Sequence, residues 1–147
     1  MLKIWCLPRG MLLAIKDVLQ DLAAYLQTEG YGTKGSNPSG ISIFTGVDGG
    51  TTNSIVIAPY GGSNSYEIKS GEMNASNPNI QITCRNLSQE TAISQSSDIH
   101  ELLREKYDWD IGSTHFIYLR AKAPPIPLGK NESGFYEYSV NFASSIY

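Results

Sequence analysis

Between Met11 and Gln27 the apolar positions Leu12, Ile15, Leu19, Leu22 and Leu26 recur at steps of three and four. That spacing gathers them on one face of a helix. Gly30 and Gly32 follow, and glycine readily takes the left-handed conformation that ends a helix. A second helix is expected from Ser88, an N-cap residue, with Leu87 before it as half of a hydrophobic staple. It runs to about Tyr107 and turns Ala92, Ile99, Leu102 and Leu103 inward.

Elsewhere the period is two. Ile41–Thr45 and Ser54–Ala58 read as strands, the second around Ile55-Val56-Ile57, with an Asp48-Gly49-Gly50 turn between them. Asn79–Arg85 alternates Ile80, Ile82 and Cys84 against Gln81, Thr83 and Arg85. After a turn at Asp110–Gly112, Thr114–Ala121 is a further strand. Phe135–Phe142 closes the series, setting Tyr136, Tyr138, Val140 and Phe142 against Glu137, Ser139 and Asn141. Gly32–Gly40, Pro59–Asn77 and the proline-rich Ala123–Gly134 lack a clear period and read as loops.

The expected order is α-β-β-β-α-β-β, an α+β fold whose mainly antiparallel β-sheet packs against two helices. At 147 residues the chain fits one domain, residues 11–147, behind an extension of residues 1–10 whose Trp5 could dock on a neighbour.

Charged residues are 17% of the chain, below the usual quarter or so, while tyrosine outnumbers phenylalanine nine to four. Such a surface suits contact with other proteins. It equally suits an ordinary β-rich domain with polar loops. The formal net charge is -3, and basic residues such as Lys16, Lys34, Lys69, Arg85 and Arg120 are scattered. Duplex binding through phosphates needs a basic patch, so direct nucleic-acid binding is disfavoured. A channel through which DNA merely slides stays open. Cys6 and Cys84 form no disulfide framework and read as small apolar residues. Pro8-Arg9-Gly10 interrupts the apolar start before it reaches signal-peptide length, and no apolar run is long enough for a membrane span. A soluble protein made in the cytosol is expected.

The catalytic and cofactor motifs fail on context. Gly30-Tyr31-Gly32-Thr33-Lys34-Gly35 matches a dinucleotide pattern, but it follows a helix and precedes a loop. A phosphate loop needs the reverse arrangement. His100 and His115 have no second ligand at metal spacing. No G-x-S-x-G elbow occurs. Asp108 and Asp110 flank Trp109 and read as solvated turn residues rather than a paired acid and base. Asn74-Ala75-Ser76, Asn86-Leu87-Ser88 and Asn131-Glu132-Ser133 have the form of glycosylation acceptors, which means nothing without secretion. No catalytic residue, cofactor or metal is expected.

Two segments carry a family likeness. One is Asn79-Ile80-Gln81-Ile82-Thr83-Cys84-Arg85 with the helix ending in Leu102-Leu103. The other is Pro127-Leu128-Gly129-Lys130-Asn131-Glu132-Ser133-Gly134 followed by Tyr136-Glu137-Tyr138-Ser139-Val140-Asn141-Phe142. Together they resemble the minor capsid and tail-terminator proteins of long-tailed bacteriophages, which pair an "iQi-x-x-R" strand with a "P-x-x-L-G-x-D-E-x-G-R" loop and an "e-y-s-v-N-F" strand. Pro59-Tyr60-Gly61-Gly62 and the opening helix also stand where the family has a Gly-Gly turn and a helix. The likeness spans residues 11 to 147. It departs at Asn131, where an acidic residue is common, and at Phe135, where a basic one is common. Those departures put an inter-subunit salt bridge from this loop in doubt.

The resemblance implies a virion protein without enzymatic activity: a ring, usually of six copies, on the head-proximal end of the tail tube. Its partners would be itself, the tail tube protein and the head–tail connector or stopper protein, with DNA only as cargo passing through the lumen and no membrane. On that reading Pro124, Pro125, Pro127, Leu128, Gly129 and Glu132, with Arg85, are candidate interaction residues. The proline segment either reaches to a neighbour or makes a rigid crossover within one subunit. A head-completion protein of the same neck is the alternative role, and a small ligand-binding domain or enzyme is the alternative class.

Overall fold

The computed structural model describes residues 17–46, 52–67 and 74–146. Residues 1–10, the first turns of the opening helix, Cys6 and the Asp48-Gly49-Gly50 turn lie outside them. The chain runs α1 (17–28), β1 (Thr33–Lys34), β2 (Ser42–Thr45), β3 (Ser54–Glu67), β4 (Asn74–Asn86), α2 (Gln89–Leu103), β5 (Glu105–Ile111), β6 (Thr114–Ala121), β7 (Ile126–Lys130) and β8 (Tyr136–Ile146). This is the expected α+β arrangement with further strands added. The eight strands form one sheet in the order β1-β2-β3-β4-β8-β6-β5, with β7 paired to β8 beside that path. Only the β1–β2 and β2–β3 pairs are parallel.

Gly30 ends α1 as expected, at φ 91°, with Tyr31 donating to the Leu26 carbonyl and Gly30 to that of Gln27. Those two bonds satisfy carbonyls that the helix end leaves open. At α2 the Ser88 side chain accepts from Thr91 N at 3.2 Å, the expected N-cap. Leu87 stays exposed, so the staple is not closed. The second helix stops at Leu103, not near Tyr107, because the residues after Arg104 pair with β6. That pairing satisfies the β5 backbone groups that face β6, and those on its other edge are left to solvent.

Three expected loops contain strands. Gly32–Gly40 contains β1, Pro59–Asn77 is largely a β3–β4 hairpin, and Ala123–Gly134 contains β7. Gly46 donates to the Ile57 carbonyl on the outer edge of β3 at 2.8 Å. Backbone groups two residues apart aim the same way, so Pro59 places its missing N–H on that edge, where it breaks no ladder bond. Pro59-Tyr60-Gly61-Gly62 is a bulge within β3 rather than a turn.

The core gathers Leu22 and Leu26 of α1, Ile99 and Leu103 of α2, and Ile55, Ile57, Ile80, Ile82, Phe116, Val140 and Phe142 of the sheet. Gln20 of α1 donates to the Thr45 hydroxyl of β2 at 2.9 Å. The next residue, Asp21, accepts from Ser113 N at 3.1 Å and from the Thr114 hydroxyl at 2.6 Å. One helix about 10 Å wide thus touches strands that a flat sheet would separate by ~19 Å. The sheet therefore curls around α1. Across β4 and β8 its other face is polar: Gln81 donates to Asn141 at 3.1 Å and Arg85 pairs with Glu137 at 3.0 Å, each across directly opposed positions.

Cys84 is fully buried, and burial pushes its thiol from an ordinary 9.0 up to about 12. In a Cys6→Ser background, thiol reagents at pH 8 should label Cys84 only as fast as the chain unfolds. Since the folded value is the higher one, the thiol's contribution to stability is whole below about pH 9 and is lost as pH climbs toward 12. Rapid labelling of the native chain would show that β4 opens locally.

Candidate assembly interface

The segment that holds Pro124, Pro125, Pro127, Leu128, Gly129 and Glu132 leads into and forms the β7–β8 hairpin. β7 pairs with the first residues of β8, Ile126 opposite Ser139 and Lys130 opposite Tyr136, while β6 pairs with the last residues of the same strand. β6 and β7 therefore follow one another along β8, separated by the Lys122–Pro125 stretch. The hairpin, here termed the arm, lies along the sheet margin beside β4, and only its turn at residues 131–135 runs past the last β4–β8 pair, Asn86 with Tyr136.

The turn at its tip is held by one side chain. Asn131 Oδ1 accepts from Ser133 N and Phe135 N, both at 2.9 Å. The Asn131 and Phe135 backbones close the turn with an N–H to carbonyl bond of 2.8 Å. Below the turn, Glu137 accepts from Arg85 Nε at 3.0 Å and more weakly from the Asn131 amide at 3.5 Å. Lys130 lies 5.3 Å from the Tyr136 ring centroid, a cation–π contact across the arm. Gly129, at φ 94°, sits at a register shift and takes a conformation that a side chain would strain.

The surface that this frame presents is apolar. All five β7 residues are exposed, with Leu128 at 53% and Ile126 at 40%. Pro124, Pro127, Gly129 and Glu132 are exposed beside them and Pro125 is half-buried. Arg85 is different: at 8% exposure it lies within the sheet, bound to Glu137, and supports the arm from below. The two departures from the family pattern are explained by position. Asn131 is spent on the turn and Phe135 is 5% exposed, so neither is offered to a neighbour as a charge would be.

Asn131→Ala should free two backbone N–H groups at the tip and cost roughly 1–2 kcal/mol. Hydrogen exchange at Ser133 and Phe135 should rise, with a small drop in melting temperature. Unchanged exchange there would mean that the backbone alone holds the turn.

The other chemically tempting residues have structural roles. Asp108 and Asp110 both contact His115, at 3.3 and 2.6 Å, across the β5–β6 hairpin. The dinucleotide-like segment runs from the end of α1 through β1, and no helix follows it to receive a phosphate. Among the described residues no group of three or more His, Cys, Asp or Glu could hold a metal ion. No helix among them is long and apolar enough to cross a membrane.

A second feature is a shallow cleft of about 340 Å³ between α1 and the β1–β2 edge. Gln20, Lys34 and Thr45 stand around it, Gln20 bonded to Thr45 across it, and Ala23 and Ile43 are buried at its floor. Residues from three separated segments build it, so no local pattern announces it.

No curated protein matches this chain. Among solved structures it is similar to a chain of the virion of a native gene transfer agent particle, at 10% identity and a TM-score of 0.47, over 71% of this chain and 77% of that one. The model of the family described as "Bacteriophage tail terminator protein" matches residues 25–147, from the last turn of α1 through the whole sheet and the arm. A structural protein of the phage virion accounts for a stiff arm carrying exposed apolar side chains, and the chain belongs to the bacteriophage tail terminator family.

Proposed function

We propose that the chain works as a closed ring of six identical copies on the head-proximal end of the tail tube. There it stops tube growth and presents its opposite surface to the head–tail connector. The observation that carries this reading is the arm: Ile126 and Leu128 stand in water on a hairpin that Asn131 and the Arg85–Glu137 pair hold rigid. A preformed arm loses little entropy on docking, and Pro124, Pro125 and Pro127 restrict the backbone further. A ring needs a heterologous contact that closes on itself, and an arm from one margin of the sheet supplies one half of it.

The partners on this reading are further copies of the chain, the tail tube protein and the connector, with DNA passing through the lumen. The polar sheet face, whose charges Arg85 and Glu137 neutralise each other, suits a wall that does not grip DNA. Image averaging of isolated tails, with antibody against this chain, tests the reading. A six-fold ring labelled at the head-proximal end supports it. Label on head vertices, with bare tail ends, moves the protein to the head side of the joint.

A further inference from the structure

We infer that the outward face of α2 in one copy receives residues 1–10 of the next. The inference rests on the ring reading and adds a contact between copies that lies away from the arm.

The receiving face is both apolar and acidic. α2 turns Ala92, Ile99 and Leu103 to the sheet, while Glu90, Ile93, Ser97 and Glu101 on its opposite side face water. Ile93 is 43% exposed, and Leu87 just before the N-cap is 58% exposed. From Asn86 to Leu103 the chain carries Glu90, Asp98 and Glu101 and no Lys or Arg. Glu90 and Asp98 make no ion pair among the described residues, and Glu101 reaches His100 and Arg104 only at 3.8 and 3.9 Å. The other exposed apolar groups stand among cations. Tyr107 and Ile117 lie on the β5–β6 hairpin with Lys106 and Arg120, and Leu128 lies on the arm with Lys130.

The occupant follows from charge and spacing. Residues 1–16 carry Lys3, Arg9 and Lys16 and no acidic residue, with Ile4, Trp5 and Leu7 between the first two cations. Along α2, Ile93 stands about 4 Å beyond Glu90 and about 12 Å before Glu101. In an extended strip Trp5 stands about 7 Å beyond Lys3 and about 13 Å before Arg9. Trp5 on Ile93 therefore sets Lys3 beside Glu90 and Arg9 beside Glu101. The contact has an apolar centre that supplies affinity and a charged rim that fixes register.

The strip comes from a second copy. α1 runs alongside β5 in the opposite direction, for Asp21 bonds Ser113 N just after β5 and Tyr25 meets Trp109 within it. α2 joins β5 at the other end, Leu103 standing just before Glu105. The N-terminal end of α1 thus points away from its own α2, and in a head-to-tail ring it points to a neighbour.

The test uses assembled tails whose chain carries Leu7→Cys and Ser97→Cys in a Cys6→Ser background, Cys84 being buried and inert. Mild oxidation should give a denaturing-gel ladder of covalently linked copies, because a disulfide requires Cα atoms within about 7 Å. Either cysteine alone should give no ladder. Reversing both cations, by Lys3→Glu with Arg9→Glu, should lower ring occupancy on tails about tenfold by setting like charges together. Adding Glu90→Lys and Glu101→Lys should restore it to within about twofold. A labelled ring that gives no ladder, or links only within one chain, overturns the contact and leaves the ring standing. So does a fourfold variant no better than the double one. Tails with no ring of the unmodified chain overturn both.

Discussion

Leu128→Asp should leave the chain folded and abolish its assembly. At 53% exposure on an edge strand, Leu128 contributes little to its own subunit, so the expected change in stability is within about 1 kcal/mol. In the assembly the same side chain would be buried, and a carboxylate buried there without a partner is strongly disfavoured. Virions carrying the substitution should therefore show a loss of infectious particles of at least about a hundredfold, equivalent to some 3 kcal/mol. The purified chain should melt within a few degrees of the parent. Measuring both separates the possibilities. A normal titre removes Leu128 from the interface, whereas a large fall in melting temperature assigns it to the fold. Arg85→Ala should behave differently, since it leaves Glu137 partly buried without its counter-charge and so loosens the arm through the sheet.

The largest effect on the subunit itself is expected from Phe116→Ala. Phe116 is fully buried and opposes Ile146 of β8. Its ring stacks on Trp109 at 5.6 Å, and Trp109 meets Tyr25 of α1 edge-on at 5.0 Å. This row of three rings ties the β5–β6 hairpin to the helix around which the sheet curls. Truncating a buried phenylalanine costs roughly 3–5 kcal/mol, through lost transfer energy and the cavity left behind. For a chain of this length that lowers the melting temperature by on the order of 10–15 °C. Calorimetry checks the size of the effect, and the near-ultraviolet circular dichroism of the native state should change as Trp109 loses its stacked partner. A loss below about 1 kcal/mol would mean that the aromatic row closes over the gap.

The parts of this molecule that are legible in its sequence are those whose signal is local. Leu19, Leu22 and Leu26 state the buried face of α1, and Ile80, Ile82 and Cys84 state that of β4, because each pattern is complete within one element. β5 carried a readable alternation in Tyr107, Trp109 and Ile111, but it follows Leu102 and Leu103 so closely that the helical period absorbed it. β7 was hidden by Pro127 within it and by Pro124 and Pro125 just before it, since proline is excluded from a central strand and tolerated on an edge. The Gly- and Ser-rich end of β3 has no period of its own and is a strand only because β4 pairs with it. The same limit applies to the site. The arm could be placed through the family motif around Leu128, whereas the cleft needs α1, β1 and β2 brought together.

Termination itself is tested most directly by tail length. In particles from a strain lacking this gene, electron microscopy should show tails without heads, many of them longer than wild type, because nothing stops the tube from growing. Tails of uniform wild-type length in that strain, whether or not heads are attached, would contradict the account.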